Sequence, residues 1–269
     1  MKIAPRLTQK IADAIPLPVR AAVINFRAFV RGKPYRVSIR TEETPPLFDI
    51  KDRERTLTIA RIHRANRSKP GVMRGVDVVA RQYGLDTLAH LSGGTFIDCG
   101  ANIGELGLWA RARDHAYIAF EPEPMEARCC DLNNFDGADE THRAALWKEN
   151  TTLTFYHDPD TADSSVFEGA ADLEKTEVPA VTLDHALGGQ ELTSPVIFKL
   201  EAEGAEPEIL EGATETLKRI DWIAVDCGPE RGASNDNTFV AVHDALLAAG
   251  FALREVRPQR LTTLYERVK

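Results

Sequence analysis

The chain has 269 residues, of which 43% are hydrophobic and 28% charged, and its formal net charge is −8. This composition supports a sizeable apolar core and argues against nucleic acid as a partner, because a phosphate backbone attracts basic surfaces. The longest apolar stretch, residues 19–30, is interrupted by Arg20, Asn25 and Arg27, so no membrane-spanning helix is expected. Four cysteines without a C-x-x-C pair, and no visible secretory leader, indicate reduced thiols and a cytoplasmic location.

The first 70 residues differ in character from the rest and are predicted to form a basic, mainly helical N-terminal extension. Residues 1–33 contain seven basic side chains and one acid, with apolar residues at helical spacing. Such a segment can rest on an anionic membrane surface, or it can pack on the main domain or on a partner subunit. Pro16 and Pro18 favour packing, because they divide the segment into short pieces. Residues 34–70 are interpreted as a connecting region, with a further helix over residues 53–67.

The most informative segment is residues 96–105, where an apolar strand runs into a glycine-rich turn and then into a helix. A second apolar strand, residues 117–120, ends on an acid. This arrangement is typical of nucleoside-binding α/β sheets, in which the turn admits a ligand close to the backbone and the acid holds a ribose diol. The predicted cofactor-binding residues are Asp98, Gly100, Ala101, Asn102, Gly104, Glu121 and Pro122. Leu146, at the end of a predicted third strand, lies where an adenine ring is expected.

Two classes of cofactor fit such a turn. A dinucleotide fingerprint reads G-x-G-x-x-G, whereas this chain has Asn102 between Gly100 and Gly104. Asn is one of the few residues other than glycine that tolerates a left-handed backbone, so the turn itself is preserved. Asp98 suits the ammonium group of S-adenosylmethionine (SAM) better than it suits a pyrophosphate. The spacing therefore favours SAM over NAD.

Beyond the turn, strands and helices alternate, which predicts a parallel sheet with helices on both faces. A buried strand is expected over residues 196–200, followed by a helix over residues 206–218. Residues 251–256 and 261–268 are predicted to form a closing hairpin. We place the start of this domain at residue 71 and its end at residue 269.

Four blocks of this region resemble the FkbM-type SAM-dependent methyltransferases. The blocks are residues 96–104, 120–124, 181–184 and 198–206, the last being followed by the similar stretch 209–213. The resemblance covers roughly residues 72–227. It implies a class I methyltransferase fold, a Rossmann-like, mostly parallel sheet of seven strands whose last hairpin contributes an antiparallel strand. It also implies mostly O-methylation of hydroxyl groups on sugars, polyketides or related small molecules.

Methyl transfer to a hydroxyl requires a group that accepts a proton, because free alcohols are poor nucleophiles. The candidates are Glu203 and Glu201, which follow a predicted central strand, and His157, in a loop that can reach the cleft. No metal is expected, although Glu201 and Asp226 offer oxygen ligands for one. Lys199 is interpreted as structural, paired with a neighbouring acid.

The leading hypothesis is SAM-dependent O-methylation of a sugar, a polysaccharide or another small metabolite. The alternatives are an NAD-dependent oxidoreductase and a non-catalytic scaffold protein that binds SAM. The expected partner is a small-molecule or glycan acceptor. The basic N-terminus adds peripheral membrane contact, and thus membrane association of a cytoplasmic protein, as a further hypothesis.

Overall fold

A computed structural model describes residues 15–68, 70–157, 164–167 and 174–268. The chain divides into two compact units, Met1–Val76 and Asp77–Lys269. In the described part of the chain, no helix is both long and apolar enough to cross a lipid bilayer.

The N-terminal unit contains a helix and a small antiparallel sheet. Helix α1, Leu17–Val30, begins directly after Pro16. The sheet has the order β1-β2-β3, formed by Arg36–Arg40, Leu47–Lys51 and Thr56–Ile59. A 3-10 helix, Ile62–Ser68, follows.

The predicted connecting region and the predicted helix over residues 53–67 are therefore wrong in detail. Hydrophobic side chains alternate with polar ones along this segment, and Val37, Ile50, Leu57 and Ile59 are buried in the structure. Alternation of this kind favours strands. The sequence prediction gave more weight to the charged stretches and to Pro45-Pro46, which are typical of a connecting region.

The second unit is built on a six-stranded sheet of order β14-β15-β11-β10-β4-β5. Strands β4, β5, β10 and β11 run parallel, and the hairpin β14–β15 adds the antiparallel strands. All five residues of β4 and of β10 are buried, as expected for central strands covered on both faces. These strands are β4 Thr95–Cys99, β5 Ala116–Phe120, β10 Val196–Leu200, β11 Trp222–Asp226, β14 Phe251–Arg257 and β15 Thr262–Arg267.

In the described part of the chain, seven further helices alternate with these strands, and residues of several of them share a core with the sheet. They are α2 Val72–Gln82, α3 Glu105–Arg111, α4 Pro124–Asn134, α5 Leu183–Leu187, α6 Glu206–Glu211, α7 Thr214–Leu217 and α8 Phe239–Ala248, together with a 3-10 helix at Leu85–Leu88. The predicted helix over residues 206–218 is thus two short helices. It is interrupted at Gly212, where an added Cβ would lie 2.3 Å from the carbonyl oxygen of Trp147.

A second sheet, of order β6-β9-β7-β8, contains the predicted third strand. Its strands are β6 Ala145–Leu146, β7 Thr151–His157, β8 Ser164–Ser165 and β9 Glu174–Val181. A short hairpin is formed by β12 Pro229–Arg231 and β13 Asp236–Asn237.

The predicted α/β sheet with its closing hairpin is confirmed, but the large sheet has six strands in the described structure instead of seven. A seventh strand would lie beside the edge strand β5. At that place the described residues form only a single parallel bridge, which joins Phe120 of β5 to His142. The chain then turns away into β6, which pairs with β9. The ends of β4, β5, β10 and β11 nevertheless lie side by side, and these ends carry the predicted site residues.

Candidate functional site

The turn between β4 and α3 has a left-handed backbone at three alternate positions. The φ angles are +70° at Gly100, +50° at Asn102 and +77° at Gly104. A Cβ atom added to Gly100 would lie 2.3 Å from the carbonyl oxygen of Glu201, so the backbone directly after β10 allows no side chain there. Glycine is thus required at position 100 by both conformation and space, while Asn102 is one of the few other residues that adopt this φ readily.

Glu121, at the end of β5, holds this turn through its carboxylate. Its Oε2 accepts a hydrogen bond from the backbone N–H of Asn102 at 2.7 Å, and its Oε1 accepts one from Glu123 at 2.9 Å. Burial raises the pKa of the carboxyl to about 7, although the two amide donors act in the opposite direction. Each oxygen keeps a second lone pair for a further donor.

Asp98 is the fourth of the five residues of β4 and is completely buried. Its Oδ2 accepts a hydrogen bond from the Tyr117 hydroxyl at 2.8 Å, and its Oδ1 lies 3.1 Å from the Nζ of Lys199. The ion pair follows from strand register, since Lys199 of β10 is the direct partner of Asp98 in β4. Oδ1 accepts no hydrogen bond of regular geometry, so the ammonium contact is mainly electrostatic.

Lys199 connects the turn to the acidic cluster at the end of β10. Its ammonium donates hydrogen bonds to the carbonyl oxygens of Cys99 at 2.8 Å and Gly100 at 2.7 Å, and it lies 3.2 Å from Oε2 of Glu201. Burial by itself would lower the pKa of Lys199, but the carboxylates of Asp98 and Glu201 reverse the effect and raise it. A permanently charged lysine therefore fixes the first half of the turn.

Arg260 joins the ends of β10 and β11. Its Nη2 lies 2.9 Å from Oε1 of Glu201 and 2.6 Å from Oδ2 of Asp226. Although burial alone would raise the pKa of Glu201, Lys199, a hydrogen bond from Tyr83 and Arg260 together lower it. Glu201 is thus a charged carboxylate held between two cations, and this environment makes it a weak base.

Glu203 occupies the turn that follows β10 and is half-buried. Its φ is +51°, a conformation that few residues other than glycine adopt, and Gly204 follows with φ +97°. Glu206 closes this turn, because its Oε1 accepts the backbone N–H groups of Ala202 at 2.9 Å and Gly204 at 3.2 Å. Strained turns of this kind often orient a functional side chain.

The remaining predicted residues have less specific surroundings. Ala101 is buried and donates its N–H to the carbonyl of Phe120, and Pro122 is partly exposed next to Glu121. Leu146 belongs to the core that also contains Cys99 and Phe120. His157 is the last residue of β7, and its side chain lies outside the described residues. The structure therefore brings together the residues at the ends of β4, β5 and β10.

Four further residues of this region were not predicted from the sequence. They are Tyr83, Arg260, Glu230 and Arg231, which lie outside the four blocks that resemble the methyltransferase family. Burial raises the pKa of Glu230 to about 7, helped by the nearby carboxylates of Asp226 and Glu201, and its side chain is partly exposed. Arg231 donates a hydrogen bond to Glu208 at 2.8 Å. No short-range sequence signal identifies these residues, because their partners are distant along the chain.

Within the described residues, no group of three or more His, Cys, Asp or Glu side chains is arranged to hold a metal ion. The pair Glu201 and Asp226, considered above as oxygen ligands, is bridged by Arg260. A guanidinium thus occupies the position between the two carboxylates.

Comparison with solved structures shows distant likeness to methyltransferases. One is the magnesium protoporphyrin IX methyltransferase from Synechocystis PCC 6803 with bound SAM, at 12% identity and a TM-score of 0.41, covering 72% of this chain and 79% of that chain. Another is a 16S rRNA methyltransferase from T. Thermophilus in complex with AdoMet and guanosine, at 10% identity and a TM-score of 0.41, covering 87% of this chain and 58% of that chain. No curated protein matches the sequence significantly.

The family comparison is more informative, because the model of the methyltransferase FkbM domain matches residues 98–253, more than half of the chain. The match begins at Asp98, the penultimate residue of β4, and includes Glu121, which follows β5, and Glu201 and Glu203 in the turn after β10. The resemblance inferred from the sequence is thereby confirmed, and with it the class I methyltransferase type of sheet. The chain belongs to the methyltransferase FkbM domain family.

Proposed function

We propose that the protein is a SAM-dependent O-methyltransferase acting on a hydroxyl group of a sugar, a polysaccharide or another small metabolite. The observation that carries the proposal is the turn of residues 100–104, held by the buried carboxylate of Glu121. In an open α/β sheet, ligands bind at the carboxyl ends of the strands, where the order of strands reverses. Here β4 is followed along the chain by β5 on one side and later flanked by β10 on the other.

The residues present fit SAM. Gly100 and Gly104 allow the left-handed backbone of the turn and its close packing on Glu201 and Asn134, and Glu121 keeps acceptor capacity for the two hydroxyl groups of a ribose. When bound, SAM supplies an electrophilic methyl group. We assign Asp98 a positioning role, since its carboxylate is engaged by Lys199 and Tyr117, and it acts on the cofactor through the turn.

Among the predicted catalytic residues, the surroundings favour Glu203 as the base. It is half-buried in a left-handed turn at the end of a central strand, whereas Glu201 is neutralised by Lys199 and Arg260. In this proposal Glu203 accepts the proton that the acceptor hydroxyl loses, while the turn around Glu206 holds its backbone in place. His157 remains a second candidate from the sequence.

Binding of the cofactor is tested by calorimetry of the full chain with SAM and, separately, with NAD. We expect heat of binding with SAM and none with NAD. Absence of binding to SAM would refute the proposed cofactor, and binding of NAD alone would favour the oxidoreductase alternative. Glu121→Gln should weaken SAM binding by roughly tenfold, because a neutral amide accepts hydrogen bonds less strongly than a carboxylate.

The transfer step is tested by release of S-adenosylhomocysteine with a panel of saccharides and small hydroxylated acceptors. Glu203→Gln should lose turnover by about 10²-fold or more, the usual contribution of a general base, while its dissociation constant for SAM stays unchanged. Glu211→Gln, an exposed acid of α6, is the matched control and should behave as the wild type. Binding of SAM without turnover on any acceptor would favour the scaffold alternative.

A further inference from the structure

Helix α1 carries its large apolar side chains on the outside. Phe26 is 68% exposed and Phe29 69% exposed, and further apolar residues of the same region are also exposed: Ile15, Val19, Val23 and Val30. Val19, Val23, Phe26 and Val30 recur at intervals of four, three and four residues, which places them in one stripe along the helix. We call this stripe, together with Phe29, the α1 ridge.

The orientation of the helix is fixed by its opposite side. Ala21 and Ala28 are the buried residues of α1, and they lie about half a turn away from the ridge at 100° per residue. The Asn25 side chain accepts a hydrogen bond from the backbone N–H of Val37 at 2.7 Å and donates one to its carbonyl at 2.8 Å. Small residues and a specific amide contact thus face the sheet, so the ridge faces outward as a consequence of the fold.

The segment that carries the ridge is basic, although one of its arginines, Arg40, pairs with Asp49 and Glu42. Residues 14–41 contain six basic side chains and no acid, in a chain whose net charge is −8. Helical spacing places Arg20, Arg27 and Arg31 along one flank of the ridge, and the Arg36 guanidinium carbon lies 6.0 Å from the centre of the Phe29 ring. An exposed apolar stripe bordered by arginines is complementary to the surface of an anionic lipid layer. The acyl chains of such a layer are apolar, and its headgroups are negatively charged.

We propose that the α1 ridge docks on a membrane surface containing anionic lipids. A helix of 14 residues is about 21 Å long, too short to span a bilayer, so it lies in the plane of the interface with its apolar side chains inserted. A second copy of the chain fits this face poorly, because two identical basic helices would bring like charges together. Docking of this kind does not depend on the methyl-transfer reaction.

Co-sedimentation of the full chain with lipid vesicles tests the docking. We expect binding to vesicles of phosphatidylcholine with phosphatidylserine, little binding to phosphatidylcholine alone, and loss of binding at high salt. The double variant Phe26→Ser/Phe29→Ser should lower the partition coefficient by roughly tenfold or more, since each buried phenylalanine contributes strongly. Arg27→Gln/Arg31→Gln should weaken binding to anionic vesicles as well.

Matched variants outside the ridge control for general changes of the surface. Val240→Ser removes an equally exposed apolar side chain from α8, and Arg111→Gln removes an exposed arginine from α3. Both should bind vesicles as the wild type does. Phe26→Trp should add a fluorescence component that shifts to the blue and is quenched by brominated lipids, which reports insertion and not mere electrostatic contact.

Three results would overturn the proposal. The first is failure of the wild-type chain to bind anionic vesicles. The second is binding that the Phe26→Ser/Phe29→Ser variant retains although circular dichroism shows it to be folded. The third is a wild-type oligomer in sedimentation analysis that the same variant dissociates, without lipid binding, because the ridge would then be an interface between copies of the chain.

Discussion

Lys199 is a buried cation that connects two carboxylates of the candidate site to the turn of residues 100–104. It is 2% exposed, and its ammonium contacts the carboxylates of Asp98 and Glu201 and two carbonyl oxygens of the turn. Replacement by Met leaves Asp98 buried without a cation, so we expect Lys199→Met to destabilise the fold by about 3–5 kcal/mol. Urea unfolding measures this loss.

Lys218→Met is the matched control for this prediction, because Lys218 forms an exposed ion pair with Glu215. Pairs of that kind contribute on the order of 0–1 kcal/mol, so the control should unfold close to the wild type. Equal stability of the two variants would contradict the role given to Lys199. Asp98→Asn combined with Lys199→Met should cost less than Lys199→Met alone, since the uncompensated charge is then removed.

Glu121 gives the protein a defined dependence of stability on pH. Burial raises its pKa from 4.5 to about 7 in the folded state, so the folded protein binds this proton more tightly than the unfolded chain. The free energy of unfolding should therefore fall as the pH rises through this window, on the order of a few kcal/mol in total. Urea unfolding at a series of pH values measures the slope, and Glu121→Gln should reduce it.

Glu230 contributes to the same slope, because burial and nearby acids also raise its pKa to about 7. Glu230→Gln should thus remove a separate part of the pH dependence. Slopes that are identical in the wild type and in Glu121→Gln would show that Glu121 is already ionised at low pH in the folded state.

At the scale of elements, the close packing of α3 against α4 depends on missing side chains. A Cβ atom added to Gly104, whose φ is +77°, would lie 2.2 Å from Nδ2 of Asn134 and 2.8 Å from Sγ of Cys130. Gly104→Ala therefore combines backbone strain with a steric clash, and we expect it to cost roughly 1–3 kcal/mol more than the strain alone. It should also weaken SAM binding by displacing the turn.

A substitution at Gly93 separates the cost of backbone strain from the cost of the steric clash. Its φ is +73°, but nothing lies within 4 Å of an added Cβ. Gly93→Ala should thus cost only the backbone term, about 1–2 kcal/mol, and leave SAM binding intact. Chemical unfolding of both variants, with calorimetry of SAM binding, measures the difference. Equal losses would show that α4 shifts away from α3 without cost.

The same elements show what the sequence determines directly. The turn of residues 100–104 was predictable because glycine and asparagine mark left-handed positions locally. The structural pairing of Lys199 was also predicted, but its partner Asp98 depends on the neighbouring positions of β10 and β4, about 100 residues apart. Arg260 could not be predicted at all, because its contact with Glu201 joins positions 59 residues apart through the closing hairpin.

On the scale of the whole molecule, positive charge is concentrated at the N-terminus of an acidic chain. The sequence predicted this segment to be basic but not its sheet of β1–β3, because the charged stretches and Pro45-Pro46 were interpreted as a connecting region. The sequence also did not determine which side of α1 faces outward, since that depends on the contact between Asn25 and Val37. Composition thus predicted the character of this region, while tertiary contacts decided which residues it exposes.

The four cysteines, all in the unit Asp77–Lys269, report on the cooperativity of its unfolding. All four are buried and none is in a disulfide bond: Cys99, Cys129, Cys130 and Cys227. Burial raises the pKa of Cys130 and Cys227 to about 12, so these thiols are both shielded and protonated in the native protein.

We expect no rapid reaction of the thiols with Ellman's reagent under native conditions and four reactive thiols in urea. SAM should lower the labelling rate of the native protein, since a ligand of the folded state suppresses opening. NAD is the control ligand and should leave the rate unchanged. Rapid labelling of one thiol in the native protein, traced by peptide mass spectrometry, would instead identify a strand or helix that opens independently of the sheet.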